Sequence, residues 1–201
     1  MAKKRPAIPR ATSERVLNEY RHKCAICGRE RPHLHHLDED STNNDSLNLL
    51  PLCPNCHLQD VHDPTQRPDP EKLRLFRRYK DPLILDPRFH PIFRRLVLLQ
   101  HAIRSGIEIE YHAQDLQDFI SEFEMGRFYK QKIRTHIDHQ ARFYNYHLYL
   151  QGAPMGSDDE VSNDPTLKHK AQEHCTQQIE ELVIELLRYQ EWVAKPFKAD
   201  S

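Results

Sequence analysis

Four cysteines and a group of histidines crowd into one stretch, CAICGRERPHLHHLDEDSTNNDSLNLLPLCPNCHLQDVH, running from Cys24 to His62. Cys24 and Cys27 form one Cys-x-x-Cys pair and Cys53 and Cys56 a second, with 25 residues between them. Two such pairs supply the four thiolates that a tetrahedral structural zinc takes. The metal would close a loop that so polar a segment could not fold by itself. Between the pairs stand His35, His36 and Asn48; His57 and His62 follow the second pair. Imidazoles gathered in one loop can ligate a second cation or move a proton beside it. A redox role for the cysteine pairs leaves the second pair and the histidines without a purpose. Cys175 stands alone on a helical pattern and is expected to be a small buried hydrophobe.

Short elements must position these residues. Thr12-Ser13 can cap a helix whose Val16, Leu17 and Tyr20 share one side and which ends near His22. Residues 33–37 alternate as a short strand, with His35 and His36 on opposite faces. Residues 38–46 are rich in Asp, Ser, Thr and Asn, a loop by composition. Residues 47–52 supply an apolar return segment, and a helix starting at Asn55 or Cys56 carries His57. The expected picture is two short strands and a helix wrapped on metal.

That order, a His-His pair, then Asn48, then His57, set between two cysteine pairs, resembles the HNH endonuclease family. The lead-in SERVLNEYRHKCAICG looks like the helix before the first knuckle in zinc-stapled members, and the resemblance covers about residues 12–62. It implies a ββα-metal domain that hydrolyses DNA phosphodiester bonds. It implies His36 as general base, able to take a proton from water at neutral pH. His35 and His57 would hold one divalent ion, a Lewis acid on the scissile phosphate and the leaving oxygen. Asn48 looks like the family's central Asn, which orients the base histidine or reaches the metal. His62 would complete the metal site, although its offset of five residues from His57 is an imperfect helical turn. His35 stands where many members carry Asp, and an imidazole is softer than a carboxylate. The catalytic site should therefore accept Zn²⁺, Ni²⁺ or Mn²⁺ as well as Mg²⁺. The competing reading is a catalytically silent zinc module of the same fold that binds nucleic acid or a protein.

The rest of the chain sets the expected architecture, an α+β protein with a small N-terminal metal domain and a mostly helical C-terminal region. Residues 1–11 form a basic arm, 12–63 the metal domain and 64–91 a linker punctuated by six prolines. Within that linker Glu71 to Lys80 can be helical, and its Arg74, Arg77, Arg78 and Lys80 could face phosphate. Residues 92–201 read as helical, with a helix near Pro91 to Ile103 and long helices over 115–150 and 166–193. In the first long helix Tyr129, Ile133, Ile137, Ala141, Tyr144 and Leu148 recur mostly four apart. In the second, Leu167, Ala171, Cys175, Ile179, Leu182, Leu186, Tyr189 and Val193 repeat at steps of four and three. The two would fold back as an antiparallel hairpin or offer a seam for a homodimer or another protein partner.

Charge follows the same division. Residues 1–100 carry 18 Lys/Arg against 13 Asp/Glu, whereas residues 101–201 carry 11 against 17. The basic half is the metal-ligand half, which suits a polyanion such as DNA. Only 38% of the residues are hydrophobic and no apolar run spans a bilayer, so no membrane role is expected. The basic N-terminus lacks an apolar region behind it and is not a secretory signal. A cytoplasmic location is the expectation, where paired thiols bind metal before they form disulfides.

Overall fold

The computed structural model describes residues 7–57, 70–150 and 165–194, the side chains of 139–150 and of 167 excepted. His62, most of the basic arm, and the side chains of Ala141, Tyr144, Leu148 and Leu167 therefore lie outside the described residues. The chain divides into two compact units, Met1–Asp86 and Pro87–Ser201. The first joins short helices to a two-stranded antiparallel sheet, and the second is helical.

In the first unit, α1 (Arg10–Glu19) begins ahead of the expected Thr12-Ser13 cap. Pro9 precedes the helix, and its carbonyl accepts the Ser13 N–H at 2.9 Å. After Glu19 the backbone of Arg21 and His22 turns left-handed, with φ of 54° and 55°. That reversal ends the helix and delivers the chain to Cys24.

β1 (His33–His36) pairs with β2 (Leu49–Leu52) in the register His33 to Leu52 through His36 to Leu49. Alternation along β1 buries His35 and leaves His36 half-exposed. β2 is buried at all four positions, which is why LLPL is continuously apolar. Two of its carbonyls are taken from outside the sheet. Leu49 O accepts Arg77 Nε at 2.9 Å, and Pro51 O accepts the Ala25 N–H at 2.8 Å. A two-stranded ribbon is marginal unless its open side is covered in this way.

The helix expected in a linker belongs to this unit. α2 (Pro70–Tyr79) buries Leu73, Leu75 and Phe76. Its Arg77, expected at phosphate, is instead 3% exposed. The guanidinium donates to Ser46 O at 3.0 Å and to Glu19 Oε2 at 2.6 Å, as well as to Leu49 O. Five donors in a planar fork can bind a carboxylate and backbone carbonyls together, which an ammonium cannot do. The Arg77 guanidinium, with Lys80 beside it, holds the Glu19 carboxyl down at about 2. Arg77 thereby ties α1, β2, α2 and the turn before Asn48 into one piece.

In the second unit, α3 (His90–Ser105), α4 (Ile109–Ser121), α5 (Gly126–Leu150) and α6 (Pro165–Ala194) pack around Ile92, Phe93, Leu96, Leu116, Ile120 and Ile133. The single helix expected over 115–150 is two helices, broken between Ser121 and Gly126. Met125 adopts φ of 61°, and Gly126 lies so close beneath α4 that a Cβ would stand 1.9 Å from Ile120 O. Only glycine permits that approach.

α5 and α6 run antiparallel. Gln190 Nε2 donates to Glu124 O at 2.9 Å, Tyr129 meets Glu185, and the Cys175 thiol reaches His136 O at 3.5 Å. Cys175 is buried as expected, and burial pushes its thiol up to about 11. A second buried stripe on α6 is polar and faces α3. Gln100 Nε2 donates to Glu180 Oε1 at 2.8 Å, and Gln172 Nε2 donates to Ile103 O at 2.7 Å. Among the described residues no helix is long and apolar enough to cross a membrane.

The Arg77 clamp yields a stability prediction. Replacement by Met strands the buried Leu49 carbonyl and the part-buried Ser46 carbonyl and leaves Glu19 with Lys80 alone, and should cost ~2–4 kcal/mol. Arg77→Lys keeps the charge without the fork and should recover part of the loss. Urea denaturation followed by hydrogen exchange of the β1 and β2 amides measures both. A loss for Arg77→Met within the noise of a surface substitution would show that the clamp contributes nothing.

Candidate metal centre and histidine site

The two cysteine pairs come together. The four Sγ atoms of Cys24, Cys27, Cys53 and Cys56 lie within 4.8 Å of one another, and no cysteine is in a disulfide. Thiolates 2.3 Å from a tetrahedral zinc stand about 3.8 Å apart. The Cys27 and Cys53 sulfurs are 3.5 Å apart, so the group has the dimensions of such a site. Cys24, Cys53 and Cys56 are buried and Cys27 faces solvent.

Local structure makes each pair a loop around its sulfurs. The first closes through Cys24 N–H to Arg29 O at 2.7 Å and Gly28 N–H to Cys24 O at 2.9 Å, with Gly28 at φ of 72°. In the second, Pro54 opens a helical turn in which His57 N–H donates to Cys53 O at 2.9 Å.

The chemistry of the donors also fits a cation. The backbone N–H of Cys56 draws the Cys53 thiol down to about 7 against its own burial, with help from the neighbouring thiols. Burial pushes Cys56 and Cys27 up, and the Cys24 and Cys53 sulfurs add to both, while the Arg29 backbone and the Cys56 sulfur partly oppose the rise at Cys27. With protons alone, one sulfur ionises readily while two resist. A divalent cation held at the centre would replace the protons and relieve that conflict.

The histidines form a second cluster. His35 Nδ1 and His57 Nε2 are 3.2 Å apart, with ring centroids at 5.0 Å and planes at 73°. Two imidazole nitrogens 2.0–2.1 Å from a tetrahedral ion stand about 3.3–3.4 Å apart, so this pair also has ligand dimensions. His35 arrives from the buried face of β1 and His57 from the turn directly behind Cys56. Among the described residues no third ligand joins them, since the one group of three or more is the cysteines. His62, expected to complete the set, falls outside the described residues.

His36 occupies the other face of β1. Its Nε2 lies 3.2 Å from Asn44 Oδ1. With that oxygen accepting from Nε2–H, the neutral ring carries its lone pair on Nδ1. Asn44 did not stand out in the sequence. The one signal was its place in the polar run STNNDS, which marks a loop but no partner.

Asn48 pins the connection between the strands. Its Oδ1 accepts the Asp38 N–H at 3.1 Å, and its Nδ2 donates to Asp38 Oδ1 at 2.8 Å and to Asn43 O at 2.9 Å. Its own carbonyl accepts the Leu37 N–H at 2.9 Å. Asp38 is held ionised there. Burial opposes its charge, but Asn48, Asn43 and the Asp40 N–H outweigh it and set its pKa below the usual value. The turn Ser46–Asn48 is itself capped by Asp45, whose side chain accepts the Leu47 N–H at 2.7 Å.

Comparison of the chain with protein-family models, curated proteins and solved structures finds no match.

The sulfur cluster predicts the outcome of two substitutions. Cys53→Ser should reduce zinc from stoichiometric to trace by elemental analysis and should unfold the first unit. Cys175→Ser should leave zinc content unchanged. Full zinc in the Cys53→Ser protein would remove the four-thiolate site.

Proposed function

We propose that the first unit is a metal-dependent endonuclease domain of HNH type, hydrolysing phosphodiester bonds of DNA. The observation that carries this reading is the His35–His57 pair. Two imidazoles from separate elements meet at 3.2 Å, beside a strand whose next residue is a third histidine. Supporting it are the four-cysteine cluster, the hairpin order around Asn48, and the helical turn that starts at Pro54.

In this reading Cys24, Cys27, Cys53 and Cys56 hold a structural zinc, and His35 and His57, with His62, hold a catalytic divalent ion. The catalytic ion would supply Lewis acidity toward a phosphate oxygen and the leaving oxygen. The chain's own residues do the rest. His36 Nδ1 takes the proton from water as the water oxygen bonds to phosphorus. The bond from phosphorus to the 3′ oxygen breaks, and that oxygen leaves with the electron pair and takes a proton from solvent water, while His36 returns its proton to solvent. Asn44 fixes the His36 ring so that its lone pair needs no reorientation at each turnover. Asn48 holds the 38–48 loop, and so Asn44, in register with β1.

The competing reading is a catalytically silent zinc-stabilised module of the same fold that binds nucleic acid or a protein partner. A binding module has no use for a positioned base, which weighs toward the enzyme.

Plasmid nicking separates the two. The wild-type protein should nick supercoiled DNA, lose that activity in EDTA, and regain it when Mg²⁺, Mn²⁺, Ni²⁺ or Zn²⁺ is restored. His36→Ala should remain folded and zinc-loaded while its cleavage rate falls roughly 10²–10⁴-fold, the usual contribution of a general base. Equal cleavage by both proteins would take His36 out of the mechanism, and no cleavage with any metal would favour the silent module.

A further inference from the structure

The proposed nuclease needs a surface that holds the substrate's backbone, and the first unit has a cleft suited to it. α2 forms one wall and the 38–48 loop the other, around a volume of about 330 Å³. Arg74 and Arg78, both exposed, sit one helical turn apart on the α2 wall, and the buried Arg77 lies between them in sequence. Asn43 and Asn48 line the loop wall, and Asn43 is the chain neighbour of Asn44, the partner of His36. A polyanion seated in the cleft would therefore lie across from the same loop that orients the proposed base.

The charges assign it a side. Asp38 and Asp45 also line the cleft, on the loop wall. Asp38 is occupied by Asn48, Asn43 and the Asp40 N–H, and Asp45 by the Leu47 N–H. Their negative charge turns phosphate away from the loop and toward α2. Arg74 pairs with Glu71 three residues before it, an exposed contact that exchanges readily for phosphate. Guanidinium forks recognise phosphate oxygens in bidentate fashion, and positions four apart on a helix share one face. Leu47, 66% exposed at the edge of the cleft, offers apolar surface to deoxyribose.

We propose that this cleft is the DNA-backbone site of the nuclease, with Arg74 and Arg78 each holding a phosphate that flanks the bond to be cut. The inference rests on the nuclease reading, and its test keeps the two apart. Full-length, zinc-loaded His36→Ala protein is titrated with a short labelled DNA duplex, by fluorescence anisotropy, over roughly 50–200 mM salt. Adding Arg74→Gln and Arg78→Gln should make the log–log salt slope shallower by about 2 and weaken binding roughly tenfold at low salt, whatever the DNA sequence. Arg74→Lys with Arg78→Lys should keep most of the slope. Removing two arginines of the other unit, the exposed Arg127 and the half-exposed Arg134, as Arg127→Gln with Arg134→Gln, should leave it unchanged.

An unchanged slope in the α2 variant overturns the cleft assignment and leaves the nuclease standing if wild type nicks plasmid. An equal loss in the Arg127/Arg134 control overturns it as well, since bulk charge alone would then account for binding. Tighter binding of duplex RNA of the same sequence overturns the choice of DNA. Absence of both DNA binding and nicking overturns the cleft and the nuclease reading together. Should the double variant lose zinc, the single Gln variants decide, each with an expected change of about 1 in slope.

Discussion

Four sulfurs drawn within 4.8 Å of one another are the constraint on which the first unit depends. One pair precedes β1 and the other follows β2, so closing the cluster closes the hairpin that carries His35, His36 and Asn48. Without it, a short two-stranded ribbon joined by a loop of Asp, Ser, Thr and Asn has too little apolar surface to persist. His57 follows Cys56 directly, and its place opposite His35 is inherited from the sulfur cluster. A metal held at the cysteines would therefore assemble the histidine pair in the same folding event.

Around that grip the unit is fastened by polar side chains as well as by its buried Val16, Leu49, Leu50, Leu52, Leu73 and Phe76. Asn48 uses both amide hydrogens and its oxygen on the loop that it closes, and Arg77 reaches Glu19, Ser46 and Leu49 from α2. The two fasteners meet at one place, because Ser46 and Leu49 flank the turn that ends in Asn48. Each bond contributes little by itself, but losing any one leaves a buried donor or acceptor unmatched. Such networks suit a site that must hold side chains still.

The second unit has an apolar core with a polar line through it. Gln172, Thr176 and Glu180 recur every four residues on the buried side of α6, and Gln100 and the Ile103 carbonyl answer two of them from α3. A slip of α6 by one turn would strand those groups in the core, so the polar line specifies the register of the helices. The heptad-like apolar seam is also used inside the chain, where Ala171, Cys175 and Ile179 are buried and Cys175 reaches α5.

Spacing in the chain determined what depends on near neighbours. Two Cys-x-x-Cys pairs announced a four-sulfur cluster, an alternating HLHH announced a strand with its histidines on opposite faces, and four-residue periods announced the helices. Those features follow from backbone geometry, which repeats every two or 3.6 residues regardless of the remainder of the chain. Tertiary structure alone decided the rest. Arg77 looked like a solvent-facing cation, and a carboxylate 58 residues away turned it inward. The helical pattern ran unbroken past Gly126 until its backbone met the Ile120 carbonyl. Asn44 was one polar loop residue among several until β1 brought His36 to it. Each outcome rests on a contact between distant parts of the chain, whose strength depends on what else is excluded from the same space, and no local pattern encodes that.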